Sequence, residues 1–256
     1  MARAIEKVAH ELLACGQEIR RVVITEEQLA GLPEPVRRYL TFAQVVGKEP
    51  IRTVCLKQHG AMPMGEGGTW HPLTAEQYVT TTPPAFLLYG TLHPLPLVSV
   101  SATDKYADGH GTMQITALSF IPLGTAQGPE MDQGELLRYL GETAWFPTAL
   151  LADYIRWEAI DAQRAQATIS LPGISASAIF HVDEQGRYTH LTAERYREEH
   201  KQQVLRPWIG RWGDYREVHG FRIPMAAEAS YTLTSGEFSY FRGEVTAIEY
   251  NRAVPY

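Results

Sequence analysis

From Ile51 to Tyr250 the chain repeats one device, a short run of β-branched and aromatic residues closed by Gly, Pro or Asp, and only one helical block, Gly134 to Phe146, breaks the series. Parallel neighbours need a crossover of about a dozen residues or more, so strands this closely spaced must pair antiparallel. The runs predict strands at 51–61, 68–82, 85–92, 97–106 and 110–120 before the block, and at 155–161, 165–171, 174–182, 187–200, 213–218, 222–233 and 237–250 after it. Asp108-Gly109 reads as a hairpin turn, whereas Pro83-Pro84 and His93-Pro-Leu-Pro96 break the ladder and belong at sheet ends. The clearest alternation is Ile174, Ala176, Ala178, Phe180 and Val182, followed by a second hairpin turn at Glu184-Gln-Gly186. Strands on both sides of a single helix imply one continuous twisted sheet with that helix in its concavity.

Helical patterns precede the sheet. Ile5, Val8, Leu12 and Ile19 recur at helical spacing between Ala2 and Arg21, and Arg20 and Arg21 suit a helix C-terminus. Thr25-Glu-Glu-Gln reads as a helix start, and Pro35 opens a second short helix within LPEPVRRYL. The expected organisation is a single domain over 1–256: a helical segment at 1–48 packed on a body at 49–256, with the helix inserted at 134–152.

Composition excludes several classes of function. A formal net charge of −6 with scattered Lys and Arg leaves no basic face for nucleic acid. Cys15 and Cys55 read as small core residues of a reducing compartment. No run approaches the roughly 20 apolar residues of a membrane span, and Glu6, His10 and Glu11 stand where a signal peptide is apolar, so a cytoplasmic location without stable membrane insertion is expected. The nine histidines show no metal-ligand spacing, and neither metal nor cofactor is expected.

The helical block carries the main chemical signal. Glu135, Arg138, Tyr139 and Glu142 stand at offsets of three, four and seven, on one stripe, with Leu136, Leu137 and Leu140 beside it. Two readings follow. The stripe is a solvated ion-pair face worth about 0.2–0.5 kcal/mol per pair, or it is a polar wall inside a pocket, where Arg138 holds one carboxylate and the other acts as acid or base. Arg195 shares a strand face with Leu191, Ala193 and Arg197, so it either clamps an anionic ligand group or pairs with a structural acid such as Glu228. Trp145, Phe146, Trp157, Trp208, Trp212, Tyr215, Tyr231 and Tyr240 either line a cavity or fill the core. Asp108-Gly-His-Gly111 and Gly65-Glu-Gly-Gly68 read as turns, and no Gly-x-Ser-x-Gly elbow occurs.

The block GELLRYLGETAWFPTALL at 134–151 resembles the signature of a family of uncharacterised bacterial proteins built on a domain of unknown function. The resemblance extends through LPEPVRRYL at 32–40, TAEQY at 74–78, ADGHG at 107–111, RWEAIDAQRAQATI at 156–169, RPW at 206–208 and HGFRIP at 219–224. It implies a fold similar to the lipoprotein-localisation proteins LolA and LolB. That fold is α+β, a twisted antiparallel sheet forming an incomplete β-barrel, with N-terminal helices and one central helix plugging the open side. The family-like positions are Glu135, Arg138, Tyr139, Glu142, Trp145, Trp157, Arg195, Trp208 and Tyr215. The leading expectation is a binding protein for a small hydrophobic or amphipathic molecule, its polar or anionic head on Arg138 or Arg195 and its apolar part against Trp145, Trp157, Trp208, Tyr215 and Tyr240. The alternative is a cofactor-independent hydrolase or isomerase/cyclase using Glu135 or Glu142 as acid or base, with Tyr139 or Arg138 stabilising negative charge. A third reading is an interaction protein whose own side chains fill the cavity.

Overall fold

Among the described residues, alternating apolar residues in closely spaced strands build one antiparallel sheet of thirteen strands, left open at both edges. The computed structural model describes residues 2–15, 23–95, 98–118 and 120–256. Expectations for Ile19, Arg20, Arg21 and Pro96, and for the side chain of Cys15, lie outside the described residues. The strands are β1 (Thr53–Pro63), β2 (Trp70–Thr81), β3 (Pro84–Leu95), β4 (Val98–Ala107), β5 (His110–Ala117) and β6 (Ile121–Gln127), then β7 (Ile155–Ala159), β8 (Arg164–Leu171), β9 (Ile174–Val182), β10 (Tyr188–Glu199), β11 (Gln202–Val218), β12 (Phe221–Leu233) and β13 (Gly236–Tyr250). Each half is a meander, and the two join where β1 pairs with β13, Leu56 lying opposite Ile248. The incomplete barrel expected from the sequence is therefore the fold that forms.

The helices are α1 (Ala2–Cys15), α2 (Glu26–Ala30), α3 (Glu34–Phe42) and α4 (Pro129–Glu142), the last crossing from β6 to β7. Leu136, Leu137 and Leu140 of α4 are fully buried in one core with Val36, Tyr39 and Leu40 of α3 and with Ala167, Ala178 and Phe180 of β8 and β9. Each such leucine contributes about 1.5–3 kcal/mol through burial. Helix α1 takes the other side of the sheet, where Ala9, Leu12 and Leu13 cover Cys55, Tyr78 and Leu87. The period of two explains the division, because Cys55, Tyr78 and Leu87 alternate with the inward-facing Leu56, Gln77 and Leu88.

Most strand ends shift by one to three residues from the sequence reading, and the larger differences have local causes. Strand β6 lies where none was expected; it is exposed along its length, and Pro122 and Gly124 interrupt its pattern. Strand β11 begins at Gln202 rather than 213, through Pro207 and Gly210, which pairing with β10 overrides. Helix α4 starts at Pro129 and stops at Glu142, and two 3-10 turns, Thr143–Trp145 and Pro147–Leu151, carry the chain around Phe146. Pro129 opens the helix and Pro147 bars its continuation.

Candidate functional site

Helix α4 is seated by the hairpin between β4 and β5. Asp108 and Gly109 take positive φ at the turn, and the next residues then hold the helix start: Gly111 N–H donates to Asp132 Oδ1 at 2.7 Å, and His110 Nδ1 lies 3.2 Å from Asp132 Oδ2. Gly111 permits the close approach, since a Cβ there would stand 2.9 Å from the Met131 carbonyl oxygen and 3.0 Å from Glu135 Cγ. Asp132 and Glu130 in the first turn also complement the helix dipole.

This docking turns Glu135, Arg138 and Glu142 toward the inner face of β1 to β5. That face runs in lateral rows: Gln58, Ala75, Gly90, Ala102 and Ile115 in one, and Gln77, Leu88, Asp104 and Met113 in the next. Asp104 is thus an acid on an apolar surface, and it is 1% exposed. Arg138 Nη1 donates to Asp104 Oδ2 in a short contact, Arg138 Nε donates to Glu142 Oε1 at 2.7 Å, and Arg138 Nη1 stands 3.6 Å from Glu135 Oε2. Glu142 Oε2 also accepts a hydrogen bond from Gln77 Nε2. From β10, Arg195 Nη2 donates to Glu135 Oε1 at 3.0 Å, Nη1 to the Tyr240 hydroxyl at 2.9 Å and Nε to the Gly134 carbonyl at 3.3 Å. The Trp208 indole donates to the same Tyr240 oxygen at 3.0 Å.

Three carboxyl groups therefore face two guanidiniums in an enclosed space. Burial and the neighbouring Glu135 charge push the Asp104 carboxyl well above its ordinary range, against the opposing pull of Arg138 and Arg195. Burial alone would lower the Arg138 pKa, but Glu142, Asp104 and Glu135 more than offset it, and the guanidinium stays charged. Two acceptor atoms in the cluster, Asp104 Oδ1 and Glu135 Oε2, are buried without a hydrogen-bond partner.

The cluster forms the polar end of a cavity of about 340 Å³. Leu73, Leu88, Leu92, Val100, Ala102 and Ile115 make its apolar wall, and Trp145, Trp208, Trp212, Tyr240 and Phe241 make an aromatic one. A broader groove of about 550 Å³ along β1 and β11 to β13 shares Trp212, Ala227 and Glu228 with it. Glycine sets the shape of the aromatic wall, because a Cβ on Gly210 would lie 2.6 Å from Trp212 Cη2.

Of the residues singled out in the sequence, Glu135, Arg138, Glu142, Arg195, Trp145, Trp208, Trp212 and Tyr240 converge on this cavity. Phe146 and Tyr231 fill the core instead, and Tyr139, Trp157 and Tyr215 also stay outside the lining. Tyr139 turns into the core, its hydroxyl donating to the Thr80 carbonyl at 3.2 Å and lying 3.2 Å from the Tyr154 hydroxyl; at 100° per residue it sits at the edge of the stripe. Trp157 caps the Leu150 carbonyl and meets Phe180 edge-on, and Tyr215 donates to the Tyr188 carbonyl against Phe42. Both lie outside the cavity lining. Arg195 takes Glu135 as its acid, not Glu228, which pairs with Arg242. The sequence reading missed Asp104 and Gln77. The readable signal for Asp104 is parity, since it continues the apolar series Val100, Ala102, with Tyr106 beyond it.

Among the described residues no cluster of three or more His, Cys, Asp or Glu is arranged to hold a metal ion, and no helix is long and apolar enough to cross a membrane. The model of a family of unknown function, DUF6920, matches residues 30–250. No curated protein matches the chain. Among solved structures, a DUF1329 family protein from Desulfovibrio piger is similar at 8% identity and a TM-score of 0.41, over 96% of this chain and 92% of that one. A LolA superfamily protein from Nitrosomonas europaea is similar at 12% identity and a TM-score of 0.37, over 88% and 93%. A β-barrel-like protein of the domain of unknown function DUF1849 from Brucella abortus is similar at 7% identity and a TM-score of 0.31, over 78% and 98%.

Proposed function

Because this chain belongs to the family of unknown function DUF6920, membership assigns it no reaction, and we propose from the cavity itself that it binds a small amphipathic molecule. The observation that carries this reading is the division of one cavity into an aliphatic wall and a charged end. Its volume of about 340 Å³ lies at the lower end of the range of about 300–1,000 Å³ usual for small-molecule pockets. The ligand's apolar body lies along Leu88, Val100, Ala102 and Ile115 and against the tryptophans, and its polar group meets the cluster around Arg138. Mass spectrometry of the natively purified protein, with Nile red as an apolar probe, tests the reading. A co-purifying molecule or saturable Nile red binding, lost in Ala102→Phe while the melting transition is kept, supports it. Absence of both in the parent protein sinks it.

One observation favours a second reading, a cofactor-independent hydrolase or isomerase. The Asp104 carboxyl, pushed up by burial and by Glu135, shares Arg138 with Glu142, and two carboxyl groups in unlike surroundings on one arginine are an arrangement that acid–base catalysis uses. In that case Asp104 is the acid and Glu142 the base, and Asp104→Asn abolishes turnover of a substrate that still binds.

A further inference from the structure

The charge balance of the cavity argues against an anionic head group. Arg138 already faces three carboxyl groups, and all three nitrogens of Arg195 already donate, to Glu135, Tyr240 and the Gly134 carbonyl. A ligand carboxylate or phosphate would have to displace one of these partners and add charge to an enclosure that already holds an excess of acid. Two of its oxygens lack a donor. Asp104 Oδ1 and Glu135 Oε2 are unpartnered acceptors on side chains 1% and 2% exposed, and both residues line the cavity.

We infer that the polar end of the cavity takes a primary ammonium group, received by Asp104 Oδ1 and Glu135 Oε2, on a molecule whose alkyl part occupies the apolar wall. This rests on the binding reading and names the chemical class of ligand for the same site. Five charged or titratable groups face one another there: Asp104 from β4, Glu135, Arg138 and Glu142 from α4, and Arg195 from β10. The neutral Gln77 from β2 and the Tyr240 hydroxyl from β13 complete the surroundings. In this reading a proton on Asp104 offsets the excess negative charge when no ligand is bound, in keeping with the upward push of burial and Glu135 on that carboxyl. An entering ammonium supplies one positive charge and several N–H donors, so it does what the proton did and adds hydrogen bonds to both orphan oxygens. Asp104 then ionises and its proton leaves to solvent. Binding is an exchange of one cation for another, and the net charge of the enclosure stays balanced.

Isothermal titration of the full chain at neutral pH with octylamine, octanol and octanoate, repeated in buffers of different ionisation enthalpy, tests this. The expected result is that octylamine binds about tenfold or more tighter than octanoate, the scale of one charge-assisted hydrogen bond, with release of about one proton per ligand bound. Asp104→Asn, which copies the shape of the protonated acid, should abolish the proton release and weaken octylamine by a similar factor while leaving octanol binding near the parent value. Octanoate or octanol binding more tightly than octylamine, or octylamine binding without proton release, overturns the ammonium assignment and leaves the binding reading standing. Failure of all three probes to bind, together with a cavity that excludes Nile red, removes the binding reading and the assignment with it.

Discussion

Glu135 on α4 and Arg195 on β10, 60 residues apart in sequence, meet through a 3.0 Å hydrogen bond in an enclosed space where the two side chains are 2% and 13% exposed. The pair ties the inserted helix to the second meander, as Arg138 with Asp104 ties it to the first. One helix thus spans the open side of the sheet through buried arginine–carboxyl contacts to both meanders. The energetic consequences follow from the surplus of acid.

Removing a cation from the cluster should cost more than removing an anion. Arg138→Met leaves three carboxyl groups with only Arg195, and breaking a buried pair in this way costs about 3–5 kcal/mol. Glu135→Gln leaves two acids and two arginines and removes the Glu135 charge that pushes the Asp104 carboxyl up, so the loss is smaller. Urea denaturation at neutral pH checks the order; equal losses would contradict the account.

Asp104 gives a pH dependence of definite sign. Its carboxyl is pushed above the ordinary value in the folded protein, so between that ordinary value, about 3.9 when unfolded, and its raised folded value the native state binds more protons than the unfolded chain. Stability from this group is complete below the unfolded value and is lost as pH rises through the folded one. Asp104→Asn should remove that component, so the parent-minus-variant difference in denaturation midpoint should fall as pH rises from about 4 upward. A difference independent of pH would refute it.

The stacked pair His181 and His190 on the sheet gives the opposite sign. Their ring centroids are 4.0 Å apart, and burial, with the His190 charge and Arg164, brings the His181 pKa down to about 4, while burial and Arg211 lower that of His190. Their contribution is present above the usual imidazole range and is lost as pH falls through the lowered values. His181→Gln should make the midpoint less sensitive to acid between about pH 6.5 and 4. An unchanged acid limb argues against it.

Gly111→Ala probes the seating of α4. The added methyl meets the Met131 carbonyl and Glu135 Cγ at 3.0 Å or less, and overpacking of this kind costs about 1–3 kcal/mol. Because the helix must shift, ligand binding should weaken as well. Wild-type stability in thermal and chemical denaturation would show that the approach is looser than described.

Trp157→Ala separates stability from binding. The ring is partly buried against Phe180 and donates to the Leu150 carbonyl, so its loss should fall toward the lower end of about 3–5 kcal/mol. Lying outside the cavity, it should leave Nile red binding intact in the folded fraction. Loss of binding without loss of stability would reverse the assignment.

Much of this protein was legible in the order of its residues, because period and punctuation are local properties. Alternation with closely spaced turns dictated antiparallel pairing, and the spacing of Glu135, Arg138 and Glu142 dictated one helical stripe. The parity of Leu191 and Ala193 likewise put Arg195 on a core-facing side. Only the tertiary structure decided what those side chains meet. The partner of Arg195 comes from 60 positions away, and Tyr139 leaves the stripe because its hydroxyl finds the carbonyl of Thr80 in the core. The Asp104 carboxyl is pushed up only because folding takes it out of water beside Glu135 and Glu142, against the pull of two arginines. A strand pattern records which face a residue occupies, but the charge it carries there is set by burial and by neighbours that three separate segments bring together.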